Sequence, residues 1–375
     1  MGIATDFKRF GNINIEDMNL TQQPELPENP IPIVIIGAGG IVKDAHLPAY
    51  TLANFKVRGI YDKTKEKAEE LKNEFAIVEK VFDTLEDLIA EGESCSAIFD
   101  LALPAHLHAK VLEQLPDGAP VLIQKPMGES IQEAKQILEI CRRKNLISAV
   151  NFQLRYAPYS IAAREMINKG LLGEVYDMEL MACVYTPWHL WDFLFELPRV
   201  EILYHSVHYL DLIRSFLGNP KKIYASTLKH PKMKDLASTR TTMILDYDEF
   251  TQARIITNHG HEFGLEKQQS YFKIEGTKGA IKIRIGLSLD YPRGLPAKFE
   301  YILLNEGQQE WKEIEIKGGW FPEAFVGTMA GLQRHVLDKN VPLPHNTEDA
   351  YDTMKLVEAA YESSENGGVA FSSIE

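Results

Sequence analysis

Two domains are the expectation for this chain: an α/β domain on a parallel sheet, then an α+β domain with a large, mostly antiparallel sheet. Three observations predict this. The chain has 375 residues, more than one compact core usually organises. Between residues 31 and 150, short apolar runs alternate with helical patterns, the rhythm of βαβ units. Over residues 151–375 the apolar residues instead alternate singly along longer segments, as half-buried antiparallel strands do.

Taken in order, residues 1–30 read as an extension whose Pro24, Pro27 and Pro30 mark a linker. "IPIVIIGAGG" is a strand that ends in glycines, and "VKDAHLPAYTLA" suits the helix after it. "FKVRGIYD" then gives a strand and "KTKEKAEELKNEF" a helix. "SAIFDLALP", "APVLIQKP" and "ISAVNFQ" supply further strands, separated by the helical "AHLHAKVLEQL" and "SIQEAKQILEICRRKN". In the second domain the helical "YSIAAREMINKG" and "EILYHSVHYLD" accompany strands from "EVYDMELMACVYT" to "FEYILLNEG". Gly276-Thr277-Lys278-Gly279 marks a hairpin turn. A closing helix, "EDAYDTMKLVEAAYESS", has Asn346 as its N-cap and stops before Gly367-Gly368.

A net charge of −13 opposes non-specific binding to nucleic acid, because a polyanion meets a repulsive average field. Apolar runs fall far short of the roughly 20 residues a membrane helix needs, and the first residues lack an apolar leader core. The three cysteines, Cys95, Cys141 and Cys183, have no paired spacing and suit a reducing compartment. A soluble cytoplasmic protein is expected, with neither membrane nor nucleic acid as partner.

"IVIIGAGGIV" places Gly37, Gly39 and Gly40 directly after an apolar strand, as a dinucleotide-binding Rossmann turn requires for close approach of the pyrophosphate. The third fingerprint position is Val42 rather than Gly or Ala. Asp62 follows the second strand, where a carboxylate accepts from adenosine ribose hydroxyls. A carboxylate there favours NAD, while Lys63 and Lys65 leave NADP open. The competing reading is a flavodoxin-like domain in which Asp62 only caps a helix.

At "GAGGIVKDAHLP", "LPAHLHAKVLE", "IQKPMGES" and "NFQLRYAP", in that order, the chain resembles the Gfo/Idh/MocA oxidoreductases, the glucose-fructose oxidoreductase and inositol dehydrogenase family. The resemblance runs from about residue 31 to the C-terminus. It implies a Rossmann domain, a second domain with an open sheet, a nicotinamide cofactor between them, and a homodimer or homotetramer. The family's Glu-Lys-Pro signature stands here as Gln124-Lys125-Pro126. By the likeness Lys125 hydrogen-bonds the reacting hydroxyl, with a pKa lowered by burial. Ile41 and Gln124 join the cofactor-binding glycines, and Leu103, Pro104, His106 and Asn151 border the nicotinamide half. Gln153 and Arg155 face cofactor or substrate, although Arg155 equally suits a salt bridge.

The family's sugar and polyol dehydrogenases commonly carry Asp-x-x-x-His at the mouth of the cleft. Laid over "ILYHSVHYLD", the histidine is His208 and the aspartate position is Tyr204. His208 is then the proton acceptor, and His205 or the Tyr204 hydroxyl a relay. Asp211 is structural. His205 and His208 could also join His259, His261 and Glu262 of "NHGHEF" as metal ligands. Hydride transfer needs no metal there, and none is expected. "YTPWHLWDF" adds Trp188 and Trp191 as platforms for a sugar ring, and "GGWFPEAF" offers Trp320 as another.

The function that follows is NAD(P)-dependent oxidation of a hydroxyl on a monosaccharide or related polyhydroxy compound. Two alternatives use the same fold: an NAD-dependent redox-cycling glycosidase, and a non-catalytic binder or regulator.

Overall fold

The computed structural model describes residues 20–304 and 310–368. Most of the expected extension, residues 1–19, lies outside the described residues. Its remainder follows the body of the protein: Leu20 is buried, and the Gln22 side-chain amide donates to the Glu315 carbonyl at 2.9 Å.

Five short strands, β1 (Ile33–Ile36), β2 (Val57–Tyr61), β3 (Ile98–Leu101), β4 (Pro120–Ile123) and β5 (Ile147–Val150), form a parallel sheet in the order β2-β1-β3-β4-β5. All four residues of β1 are buried, as expected of a strand covered on both faces. The helices between the strands are α1 (Leu47–Leu52), α2 (Lys65–Glu74), α3 (Leu85–Ser94), α4 (His108–Leu112) and α5 (Ile131–Arg143). Residues 77–82 pair in parallel with β2 through Glu79 N–H to Val57 O at 2.9 Å and Phe82 N–H to Ile60 O at 3.0 Å. That rudimentary strand outside β2 turns the order into the six-position dinucleotide-binding arrangement rather than the flavodoxin-like one.

The second sheet has eight strands: β6 (Val175–Cys183), β7 (Lys222–Leu228), β8 (Arg240–Asp246), β9 (Gln252–Asn258), β10 (Gln269–Gly276), β11 (Gly279–Arg284), β12 (Lys298–Leu303) and β13 (Lys312–Ile314). Their order is β13-β12-β11-β10-β6-β9-β8-β7, antiparallel except where β6 meets β9. Met178, Leu180 and Ala182 of β6 are buried while Asp177, Glu179 and Met181 stay half-exposed, so one face is core and the other open. Gly276 pairs with Gly279, leaving Thr277 and Lys278 as the expected two-residue turn.

Helices α6 (Pro158–Asn168), α7 (Val207–Leu217), α8 (Glu323–Leu337) and α9 (Thr347–Asn366) complete the structure. Asn346 caps α9 by accepting from Asp349 N–H at 2.9 Å, and Gly367 ends it. Two helices, α3 and α8, go beyond the elements expected from sequence. Although α8 comes late in the chain, it packs on α1, β4 and β5 of the first sheet. No helix among the described residues is long and apolar enough to cross a membrane.

Candidate active site

Strand order reverses between β1 and β3, so their C-terminal ends border the crevice where a doubly wound sheet receives its ligand. Gly37 has φ of 113°, and a Cβ there would lie 2.3 Å from the Ala102 carbonyl oxygen. Only glycine fits that turn. A Cβ on Gly39 would meet nothing within 4 Å, and Gly39 and Gly40 are exposed, which leaves room for a phosphate to approach the backbone. Half-buried Ile41 leads from this turn toward α1.

Asp62 lies just past β2 with its carboxylate held at the glycine turn. Its two oxygens accept from Ala38 N–H and Thr64 N–H, each at 2.8 Å. Lys63 beside it is exposed, whereas Lys65 is paired with Asp83 at 2.5 Å. After β3, half-buried Leu103 and exposed Pro104 continue the rim of the crevice; Leu103 Cδ2 would stand 3.2 Å from a Cβ on Gly37.

Lys125 follows β4 and reaches the other half of the molecule, where its Nζ donates to the Tyr204 carbonyl at 2.9 Å. Burial pushes its pKa down to about 8. Residues Glu201–Ser206 form a π-helical turn before α7, and such a turn breaks the regular carbonyl ladder. The neighbouring Gln124 is buried, and its side-chain oxygen accepts from the Lys125 backbone N–H at 3.1 Å. An amide there contributes no negative charge beside the ammonium.

His208 sits in the first turn of α7, buried, with its ring edge-on to Trp320 at 5.1 Å between centroids. Burial first and the Lys125 charge second hold its pKa well below the ordinary histidine value, so it is a neutral base. His205 is also held well below, by burial, then by His259, His208 and Lys125. The Tyr204 hydroxyl donates to Glu129 Oε1 at 2.8 Å, and exposed His106 places Nδ1 3.5 Å from the same oxygen. Burial and the Glu129 carboxylate both raise the Tyr204 pKa.

Several expectations need correction. Arg155 is no ligand for substrate: Nε and Nη2 bind Asp211 at 2.6 and 2.5 Å, Nη2 also binds Asp349 at 2.6 Å, and Nη1 donates to Pro344 O at 2.7 Å. All three of its guanidinium nitrogens are engaged. Asn151 is sealed beneath the cleft, its amide spent on His46 at 3.3 Å and Thr328 at 2.8 Å. Gln153, which opens the 3-10 turn Gln153–Tyr156, needs no such correction: it is buried, and its Oε1 has no hydrogen-bond partner among the described residues. Trp188 is 5% exposed within a small core with Leu194, Val200 and Leu236, so its face is covered. Trp191 remains half-buried at the surface of that core, 5.5 Å from the Tyr291 ring. Trp320 is buried too.

The five-ligand metal cluster does not assemble. His208 faces Trp320, His261 Nδ1 lies 3.5 Å from Cys183 Sγ, and exposed Glu262 pairs with Lys232. Sequence reasoning missed Glu129, which stands four residues after Lys125 within the quoted "IQKPMGES". That fixed distance from the lysine was the available signal. It also left Glu201 without a partner, whereas His259 Nε2 lies 3.2 Å from Glu201 Oε1. Only folding brings those two elements together.

Residues 31–152 match the oxidoreductase family described as having an NAD-binding Rossmann fold, and residues 161–282 match the GFO/IDH/MocA C-terminal domain. The chain belongs to the Gfo/Idh/MocA oxidoreductase family. It is 24% identical to D-apiose dehydrogenase of Rhizobium rhizogenes over 83% of this chain and 88% of that protein. With D-xylose 1-dehydrogenase (NADP(+)) 2 of Haloferax volcanii it shares 23% identity over 89% of this chain and 97% of the relative. An Agrobacterium radiobacter oxidoreductase, solved with NAD+, L-tartaric acid and magnesium, has a similar fold. Its TM-score is 0.74 at 20% identity, covering 92% of this chain and all of that one (100%). Family membership makes residues 31–152 the NAD-binding Rossmann domain of an oxidoreductase, and the open space at Gly39 fits that cofactor.

Proposed function

We propose that the protein is an NAD-preferring dehydrogenase that oxidises a hydroxyl of a monosaccharide or closely related polyhydroxy compound. The observation that carries this reading is the part-buried Lys125 ammonium, anchored on the Tyr204 carbonyl and acting on a neutral, buried His208. Sugar dehydrogenases among the relatives support the substrate class.

Bound nicotinamide supplies the hydride acceptor. Gly37, Gly39, Gly40 and Ile41 would hold its pyrophosphate, Asp62 its adenosine ribose, and Leu103 and Pro104 its riboside side. Lys125 donates a hydrogen bond to the reacting hydroxyl and stabilises negative charge developing on that oxygen. His208 takes the hydroxyl proton, a step open to it because its imidazole is neutral. Trp191 borders the substrate side.

Asp62 favours NAD because a 2′-phosphate would meet its carboxylate, although exposed Lys63 lessens the discrimination. The open face of the second sheet, with Glu179, Arg254 and Tyr271, is the surface through which we expect the chains to form dimers or tetramers.

The test is a panel of aldoses and polyols with NAD or NADP, following the absorbance of reduced cofactor. Lys125→Ala and His208→Ala should each lower kcat by roughly 100-fold or more, with nicotinamide affinity within a few-fold of wild type. Near-wild-type turnover in both variants would refute this mechanism. Release from an aryl glycoside with no net reduced cofactor would favour redox-cycling hydrolysis instead.

A further inference from the structure

Next to the Lys125–His208 pair lies a cluster that the proposed hydride transfer does not use. Glu201 and His205 come from the π turn, and His259 follows the end of β9. One ligand-type atom from each lies within 4.8 Å of the others. Glu201 Oε1 is 3.2 Å from His259 Nε2 and 3.9 Å from His205 Nδ1.

Hydrogen bonding alone leaves the cluster incomplete. Ser206 Oγ donates to Glu201 Oε1 at 2.7 Å, and His259 approaches the same oxygen. Glu201 Oε2 and His205 Nδ1 are buried with no hydrogen-bond partner among the described residues, and 3.9 Å is too long for a bond between His205 and the carboxylate. Glu201 is fully buried, and among the described residues its only ion-pair partners are the two histidines. A buried carboxylate without a fixed cation carries a large desolvation cost.

The spacing suits a cation at the centre. Ligands about 2.1 Å from a tetrahedral ion stand about 3.4 Å from one another, between the two distances seen here. An outer contact is also in place: the Thr186 hydroxyl meets His259 Nδ1 at 2.7 Å, which turns Nε2 toward the cluster. Of the three side chains only His205, 20% exposed, reaches solvent, and the Lys125 charge acts on it.

We propose that Glu201, His205 and His259 bind a divalent transition-metal ion of the zinc class, leaving one coordination position open toward the Lys125 side of the cleft. Two imidazoles and one carboxylate select zinc, cobalt or iron(II) over magnesium or calcium, which prefer oxygen ligands. The open position takes an oxygen donor, either water or a hydroxyl. This replaces the expectation that the protein carries no metal, and it does not depend on which compound is oxidised.

The test uses the full-length protein, stripped with a chelator and then titrated with zinc by calorimetry and with cobalt(II) by visible absorption. One ion per chain is expected, with the intense visible bands of tetrahedral cobalt. His205→Ala and Glu201→Gln should each weaken binding roughly tenfold or more. Both variants should still bind NAD with wild-type affinity, which confirms that they fold. No stoichiometric uptake by the wild type would overturn the proposal. So would uptake that survives both substitutions, since the ion would then sit elsewhere, as at the Cys183–His261 pair. No readout relies on turnover, so failure of the dehydrogenase reading would leave this test intact.

Discussion

Tyr204 stands where the family resemblance leads one to expect an aspartate, and its two polar groups make separate contacts. The carbonyl anchors Lys125 while the hydroxyl turns to Glu129, so no carboxylate touches His208 on this side. Burial and Lys125 consequently act unopposed, and the histidine stays neutral. Because the carbonyl contact needs only the backbone, Tyr204→Phe should preserve the lysine anchor and lose only the bond to Glu129. We expect kcat/KM to fall by roughly tenfold, in line with one charged hydrogen bond, while NAD affinity is unchanged. A loss as large as that of Lys125→Ala would mean that the hydroxyl itself touches the reacting group. The glycine turn was legible from a local motif, whereas Lys125 and His208 were singled out through the family resemblance. Glu129 was not singled out, because a hydrogen bond between residues 75 apart leaves no local pattern.

At the scale of elements, the site depends on how α7 is held. Asp211, one turn beyond His208, accepts two bonds from Arg155 and one from Thr353, and Arg214 of α7 reaches Asp349 of α9 at 2.6 Å. This buried network ties the turn after β5, α7 and α9 into one unit beneath His208. Removing Asp211 strips the buried Arg155 guanidinium of two of its four hydrogen bonds and leaves it Asp349 as its one carboxylate, a cost of about 3 kcal/mol. Asp211→Ala should therefore lower the denaturant midpoint by that equivalent at an unchanged slope. A variant as stable as wild type would show that the ion pair does not hold the helix. The helical spacing of "YHSVHYLD" was readable, but the π turn that begins it was not. Its phase is set by packing against α9 and β8 rather than by propensity.

Across the whole molecule, two fully buried histidines link folding to pH. Burial lowers His108 to about 4 and His345 to about 3, against an ordinary value of 6.5. Both are neutral in the fold, so the unfolded chain binds more protons below 6.5, and stability present above that pH is lost as pH falls toward 4. Each contributes a slope of about 1.4 kcal/mol per pH unit, so denaturant unfolding at pH 5 should report roughly 4 kcal/mol less stability than at pH 7. Part-buried His205 and buried His208 act in the same direction. Equal stability at the two pH values would contradict their burial as neutral groups. At this scale the sequence by itself determined the parallel sheet, the antiparallel sheet and the glycine turn between the first strand and helix. Those follow from periodicity and turn chemistry along one segment at a time. Tertiary structure alone decided that Arg155, Asn151 and Trp188 are structural and that α8 returns to the first sheet. It alone also brought Glu201 and His259 into contact. Burial and long-range pairing arise from contacts between distant segments, which no local pattern records.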